Sequence, residues 1–218
     1  MSRAVIFDLD GTLVDSAPDI HAAANRVMRR HRLAPFTLEE ARSFVGHGAA
    51  VFIERCLVAR GVVDRPGLKA RALGDFLEIY ESAVNLTRPY PGAVAALETL
   101  AAQGLRLGLC TNKPEGPARA LLRHLGLEAP FEVLIGGDSL PVRKPDPAPL
   151  RAAIARLGAA RVVYVGDSEV DAETSRRAEV PFALFTEGYR KSPLEALPHA
   201  ASFDEFSALP DIALRLLE

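Results

Sequence analysis

Cysteine is scarce: Cys56 and Cys110 are the only two in 218 residues. One pair gives no disulfide framework. Cys110, at the end of the apolar run from Leu105 to Leu109, reads as a small core residue rather than a reactive thiol. A reducing, cytoplasmic compartment is the expectation. An excess of one charge is lacking too. A formal net charge of −2 leaves no electrostatic footprint for nucleic acid or for an anionic membrane. No apolar run approaches the length that spans a bilayer. The N-terminal stretch shows no signal-peptide pattern, and no internal repeat or low-complexity segment occurs. Nucleic acid and membrane are therefore not expected as partners, while a monomer and a homodimer both stay open.

What is present is an ordinary globular composition, 49% apolar and 25% charged. The chain is long enough for one large domain or for a domain with an insert. Arg3 to Phe7 has the character of a short buried strand. From Pro18 to about Val84 the apolar residues recur at helical spacing, as Ile20, Ala23, Ala24, Val27 and Met28 do. Helices are expected from Pro18 through Arg30, from Thr37 to about Val45, and from Ala49 to Arg60. Another opens at Pro66-Gly67 and carries Leu73, Phe76, Leu77 and Tyr80 on one face. Ser16 or Asp15 can cap the first of these, and Thr37 with Glu40 forms a capping-box pattern on the second. No strand is expected in this block. After Arg88-Pro89-Tyr90-Pro91-Gly92, strands at Leu105–Cys110, Phe131–Ile135, Arg161–Val165 and Pro181–Phe185 alternate with helices, one of them over Asp171–Ala178. Phe203 to Leu217 closes the chain mostly as helix. The alternation, with near-continuous apolar strands, argues for an α/β fold: a doubly wound, Rossmann-like parallel sheet with an inserted all-helical cap. The expected division is a core of residues 1–15 and 88–218 and a helical cap over 16–87. The linkers lie near Val14–Pro18 and Leu86–Pro91.

Asp8-Leu9-Asp10-Gly11-Thr12 follows the first strand. Residues two apart in a strand share a face, so Asp8 and Asp10 emerge together if the strand persists. Two adjacent carboxylates repel unless a cation or a shared proton lies between them. In an open parallel sheet, ligands bind beyond the carboxyl ends of the strands. That rule gathers Asp8 and Asp10, Thr111 and Asn112, the segment leading to Lys144, and Asp167 with Ser168 and Asp171. The inventory suits phosphoryl transfer. Hard oxygen ligands hold Mg²⁺. The ion and Lys144 neutralise the transferring group. One carboxylate attacks phosphorus, and the other protonates the leaving oxygen and later activates water.

Asp8-Leu9-Asp10-Gly11-Thr12, Thr111-Asn112, Lys144-Pro145 and Gly166-Asp167-Ser168-Glu169-Val170-Asp171 resemble, in order, the four motifs of the haloacid dehalogenase-like hydrolase superfamily. The resemblance spans the whole chain and includes a helical cap inserted after the first motif. It implies a nucleophilic Asp8, a general acid/base Asp10, phosphoryl oxygens bound by Thr111 and Asn112, and charge balance from Lys144. It also implies Mg²⁺ held by the side chains of Asp8 and Asp167 and by the backbone carbonyl of Asp10. Asp171 would support the metal through its waters, with Ser168 alongside. The dehalogenases and phosphonate-cleaving members lack an acid two places after the nucleophile, so Asp10 favours a phosphate ester.

The segments Phe44 to Arg55 and Leu184 to Arg190 further resemble bacterial phosphoglycolate phosphatases. That resemblance implies a small phosphorylated carboxylic acid as substrate: 2-phosphoglycolate, split to glycolate and phosphate through an aspartyl-phosphate. Gly46-His47-Gly48 precedes a helix, whose exposed N–H groups suit a carboxylate, and His47 and Arg55 would add positive charge. A phosphatase or phosphomutase for another small phosphorylated metabolite, and a non-catalytic binding protein, are the alternatives. His21 reads as a solvated helix residue. Lys144-Pro145 is a candidate cis peptide, although trans is the commoner state of such a bond.

Overall fold

The computed structural model describes residues 2–62 and 65–218. β1 (Arg3–Phe7) is followed by a turn and the two-residue β2 (Val14–Asp15). Four helices come next: α1 (Ala17–Arg30), α2 (Leu38–Phe44), α3 (Ala49–Ala59) and α4 (Leu68–Tyr80). β3 (Arg88–Pro89) leads back to α5 (Ala93–Ala102), β4 (Arg106–Cys110), α6 (Glu115–His124), β5 (Phe131–Ile135), α7 (Ala148–Leu157) and β6 (Arg161–Gly166). α8 (Glu169–Ala178), β7 (Phe182–Phe185), β8 (Ala201–Phe203) and α9 (Leu209–Leu216) complete the chain.

Six strands form one parallel sheet in the order β5-β4-β1-β6-β7-β8. β1 shows why the sheet is covered on both faces. Its side chains alternate between faces. Val5 and Phe7 pack with Leu107, Leu109, Val163 and Val165 against α5, α6 and α9. Ala4 and Ile6 pack with Val162 and Tyr164 against α7 and Ala172 of α8. All four of these β1 residues are fully buried, which makes the strand a continuous apolar run rather than an alternating one.

Helices α1 to α4 enclose an apolar cluster of their own, with Val27, Met28, Ile53, Leu57 and Phe76 at its centre. A chain of rings runs through it: Phe36 to Phe44 at 5.8 Å between centroids, Phe44 to Phe52 at 6.5 Å, Phe52 to Phe76 at 5.3 Å, and Phe76 to Tyr80 at 4.9 Å. The capping box of α2 forms as its sequence requires. Glu40 N donates to Thr37 Oγ1 at 3.1 Å, and Thr37 N donates to Glu40 Oε2 at 2.8 Å. Ser16 sits at the N-cap of α1, but its buried hydroxyl has no hydrogen-bond partner among the described residues. The first helical amide, Ala17 N, instead reaches Tyr189 Oη at 2.9 Å and Asp15 Oδ1 at 3.3 Å.

The structure departs from the sequence expectation at short elements. The two linkers pair as an antiparallel ribbon, Val14 with Pro89 and Asp15 with Arg88. β8 adds an edge strand beside β7 where helix was expected to begin. α8 starts at Glu169 rather than Asp171, because Ser168 and Asp171 form a capping box. Asp19, 4% exposed, joins the insert's entry to its exit by accepting from Leu86 N (3.0 Å), Thr87 N (2.7 Å) and Thr87 Oγ1 (2.6 Å). His21 is only partly solvated: it is half-buried, and its Nε2 lies 2.8 Å from Phe36 O and 2.8 Å from Asn25 Nδ2.

Candidate active site

β4, β1 and β6 are neighbours in the sheet, so their carboxyl ends deliver side chains to one edge. β1 delivers Asp8 and Asp10. Gly11, at a φ of +87° that side-chain-bearing residues avoid, turns the chain immediately afterwards. β4 delivers Thr111, Asn112 and Lys113, and β6 delivers Asp167, Ser168 and Asp171. Lys144 arrives from the segment after β5, and its bond to Pro145 is cis. The Lys144 ammonium, 2% exposed, lies 2.6 Å from Asp171 Oδ1, 2.8 Å from Tyr164 Oη and 3.0 Å from Asp8 Oδ1. Burial works against this charge, but the carboxylates of Asp171 and Asp8 outweigh it and raise the Lys144 pKa.

One ammonium does not balance the three acids around it. Asp8, Asp167 and Asp171 each place an oxygen within 4.8 Å of the others. Burial pushes Asp8 up to about 7 against the pull of Lys144, with Asp171 and Asp10 pushing the same way. Burial, then the charges of Asp171 and Asp8, raise Asp167 well above the usual carboxylate range. Asp171 is already committed. Its Oδ1 takes Lys144, and its Oδ2 accepts from Ser168 Oγ at 2.6 Å, Ser168 N at 3.2 Å and Asp167 N at 3.3 Å. Asp8 Oδ1 is buried with no aligned hydrogen-bond donor. An all-oxygen donor set with surplus negative charge fits a hard divalent cation such as Mg²⁺.

Close backbone approach shapes the same edge. A Cβ on Gly188 would overlap both Asp167 and the carbonyl of Gly11. That leaves Tyr189 N free to donate to Asp167 Oδ2 at 2.6 Å, while Thr12 Oγ1 donates to Asp167 Oδ1 at 2.7 Å. A cavity between the sheet edge and the helical block is lined by Asp8, Asp10, Gly48, Phe52, Tyr80 and Lys113, among others. A smaller recess beside it is lined by His47, Asp167, Glu169 and Lys191, and also borders Asp8 and Asp10.

The family model for haloacid dehalogenase-like hydrolases matches residues 5–185. The chain belongs to this family. Over 214 residues the hydrolase is 54% identical to a phosphoglycolate phosphatase of Cereibacter sphaeroides, covering 98% of each protein. Over 213 residues it is 48% identical to a phosphoglycolate phosphatase of Rhodobacter capsulatus, covering 97% of each. The crystal structure of a predicted phosphoglycolate phosphatase from Haemophilus somnus superposes on it with a TM-score of 0.91 at 29% identity, covering 97% of each chain.

In the hydrolase, the four strand-end groups named from sequence converge, and the residues named from the insert divide. Thr111 Oγ1 accepts from Lys113 N at 3.2 Å and keeps its own proton to donate. The Asn112 amide donates to Lys144 O at 2.9 Å and to Gly46 O at 3.0 Å, which stitches the loop before α3 to the core. Gly46 and Gly48 border the main cavity. His47 lines the smaller recess, and burial, followed by the charges of Arg55 and Lys191, lowers its pKa and so disfavours a positive charge there. Arg55 lines neither space. Its Nη1 donates to Phe44 O at 3.2 Å. Sequence reasoning assigned no role to Lys113, Tyr80, Gly188 or Tyr189. Gly188 and Tyr189 fall within the matched segment Leu184 to Arg190, and Lys113 carries a local signal as a charged residue directly after Thr111-Asn112 at a buried strand end.

Proposed function

We propose that the hydrolase is a Mg²⁺-dependent phosphomonoesterase that converts 2-phosphoglycolate to glycolate and inorganic phosphate, with residues 16–87 acting as a cap over a core of 1–15 and 88–218. The observation that carries the chemistry is the pair Asp8 and Asp10 at one strand end. Asp8 lies against the buried Lys144 ammonium, and Asp10 faces the cavity. Identity of 48–54% to phosphoglycolate phosphatases over nearly the whole chain supports the substrate.

Asp8 attacks phosphorus as its ester bond to the glycolate oxygen breaks, and Asp10 hands its proton to that departing oxygen. Asp10, now a carboxylate, takes a proton from the water that attacks the aspartyl-phosphate. The bond from phosphorus to Asp8 breaks and phosphate leaves. Lys144 holds the Asp8 carboxylate in place and offsets phosphoryl charge. Thr111 donates to a phosphoryl oxygen, and Asn112, whose amide donates to Gly46 O and Lys144 O, holds the loop beside it in place. The side chains of Asp8 and Asp167 and the carbonyl of Asp10 would hold Mg²⁺, with Asp171 and Ser168 behind them. When bound, the ion neutralises charge on the phosphoryl oxygens.

A panel of small phosphomonoesters assayed with Mg²⁺ and with EDTA tests the reading. The expected result is highest kcat/KM for 2-phosphoglycolate and loss of turnover in EDTA. A sugar or nucleotide phosphate ranking above it would overturn the substrate, and metal-independent turnover would overturn the cofactor.

A further inference from the structure

The reaction as written leaves one buried ammonium at the site without a task. Lys113 is 6% exposed. Its Nζ lies 3.2 Å and 3.5 Å from the two oxygens of Asp10 and donates to the hydroxyl of Tyr80, the last residue of α4. The same nitrogen stands 4.1 Å from the centroid of the Tyr80 ring. The backbone beneath is fixed, since Gly137 N donates to Lys113 O at 2.8 Å. Lys113 and Tyr80 line the cavity that holds Asp8 and Asp10, whose other walls include Ile20, Phe52 and Phe76. Among the described residues lining that cavity, Lys113 is the only cation.

The chemistry of a two-carbon substrate places its carboxylate close to this nitrogen. In 2-phosphoglycolate a single methylene separates the leaving oxygen from the carboxylate carbon. Asp10 must touch the leaving oxygen to protonate it. The carboxylate therefore lies in the part of the cavity next to Asp10, and the cation there is the one already in contact with Asp10. Arg55 lies outside both spaces, and His47 and Lys191 line the smaller recess, where the carboxylate of Glu169 already stands beside them. Lys113 donates to the Tyr80 oxygen, so the phenolic proton remains free for a second acceptor. Burial keeps that phenol protonated by raising its pKa well above the usual value.

We propose that Lys113, assisted by the Tyr80 hydroxyl, binds the substrate carboxylate and selects short phosphorylated carboxylic acids over phosphate esters of the same size that lack the carboxylate. The assignment rests on the phosphoglycolate reading above. It joins one group from the core to one from the insert, so full recognition requires α4 to be seated over the sheet edge. An ester with an apolar end in place of the carboxylate would leave the ammonium and the phenol without a new partner, which disfavours its binding.

The test compares 2-phosphoglycolate with ethyl phosphate, in which a methyl group replaces the carboxylate. Both are assayed with the full chain and Mg²⁺. Wild type is expected to prefer 2-phosphoglycolate. Lys113→Met is expected to reduce that preference by about a hundredfold, mainly through KM, as loss of a charge-assisted contact requires. Lys113→Arg should recover part of it, and Tyr80→Phe should reduce it by about tenfold. A wild type with no preference would overturn the phosphoglycolate reading and the assignment with it. A preference that survives in Lys113→Met would overturn the assignment alone, since Lys113 would then serve only Asp10 or the fold. If Lys113→Met does not fold, Tyr80→Phe decides, because it removes only a hydroxyl; an unchanged preference there overturns the assignment.

Discussion

Asp8→Asn is expected to lower kcat on the order of 10⁴-fold or more, because no other carboxylate at the edge is free to attack. The same change removes one of three clustered buried acids, two of which share Lys144, so its melting temperature in EDTA should hold or rise. A variant that keeps Mg²⁺-dependent phosphate release would exclude Asp8 as nucleophile. Asp10→Asn should cost about 10²–10⁴-fold in kcat with little change in KM, as loss of a general acid does. Gly188→Ala is expected to raise the Mg²⁺ concentration needed for half-maximal activity by about tenfold, because its Cβ displaces Asp167; a magnesium titration reads this directly. Asp8, Thr111, Asn112 and Asp167 were legible in the sequence because they directly follow buried strands, whereas Asp10 reaches the same edge from the turn after β1, which ends at Phe7 and so carries no strand period that far. Lys113 was not. Nothing in a linear pattern says that its side chain folds back onto Asp10, 103 positions away, and meets Tyr80, 33 positions away. His47 and Arg55 were legible as charges but not as directions, and only packing decides that one lines a recess and the other turns to Phe44.

Helices and central strands were readable because each presents several turns or pleats of apolar pattern. β2, β3 and β8 were not, because two or three residues carry no period. The start of α8 was available in principle, since Ser168 and Asp171 stand at capping-box spacing. At this scale Thr37→Ala should lower the melting temperature by about 2–4 °C through loss of the α2 cap. Thermal denaturation followed by circular dichroism measures it, and an unchanged midpoint would mean that packing of α2 outweighs its cap. Asp19→Ala leaves three donors at Leu86 and Thr87 without their acceptor and should destabilise by roughly 3 kcal/mol, a loss readable by urea denaturation.

For the whole molecule, the raised Asp8 pKa gives stability a definite slope with pH. The ordinary value is 3.8 and the folded value about 7, so between them the native state holds a proton that the unfolded chain has released. Without metal, stability is expected to fall as pH rises through that window. Mg²⁺ competes for the same oxygens, so it should raise the melting temperature more at pH 8 than at pH 5. Equal effects at both pH values would mean that the ion binds elsewhere. The ribbon of Val14–Asp15 and Arg88–Pro89 has a consequence for the history of the fold. The two chain crossings are paired rungs of one ladder, so the point where the helices begin and the point where they end are adjacent. Such a doorway admits any folded segment whose ends meet, and lets one be exchanged for another without rebuilding the sheet. Closing the doorway by joining Asp15 to Arg88 through Asn-Gly should convert the ribbon into an ordinary hairpin and leave a sheet domain that folds by itself.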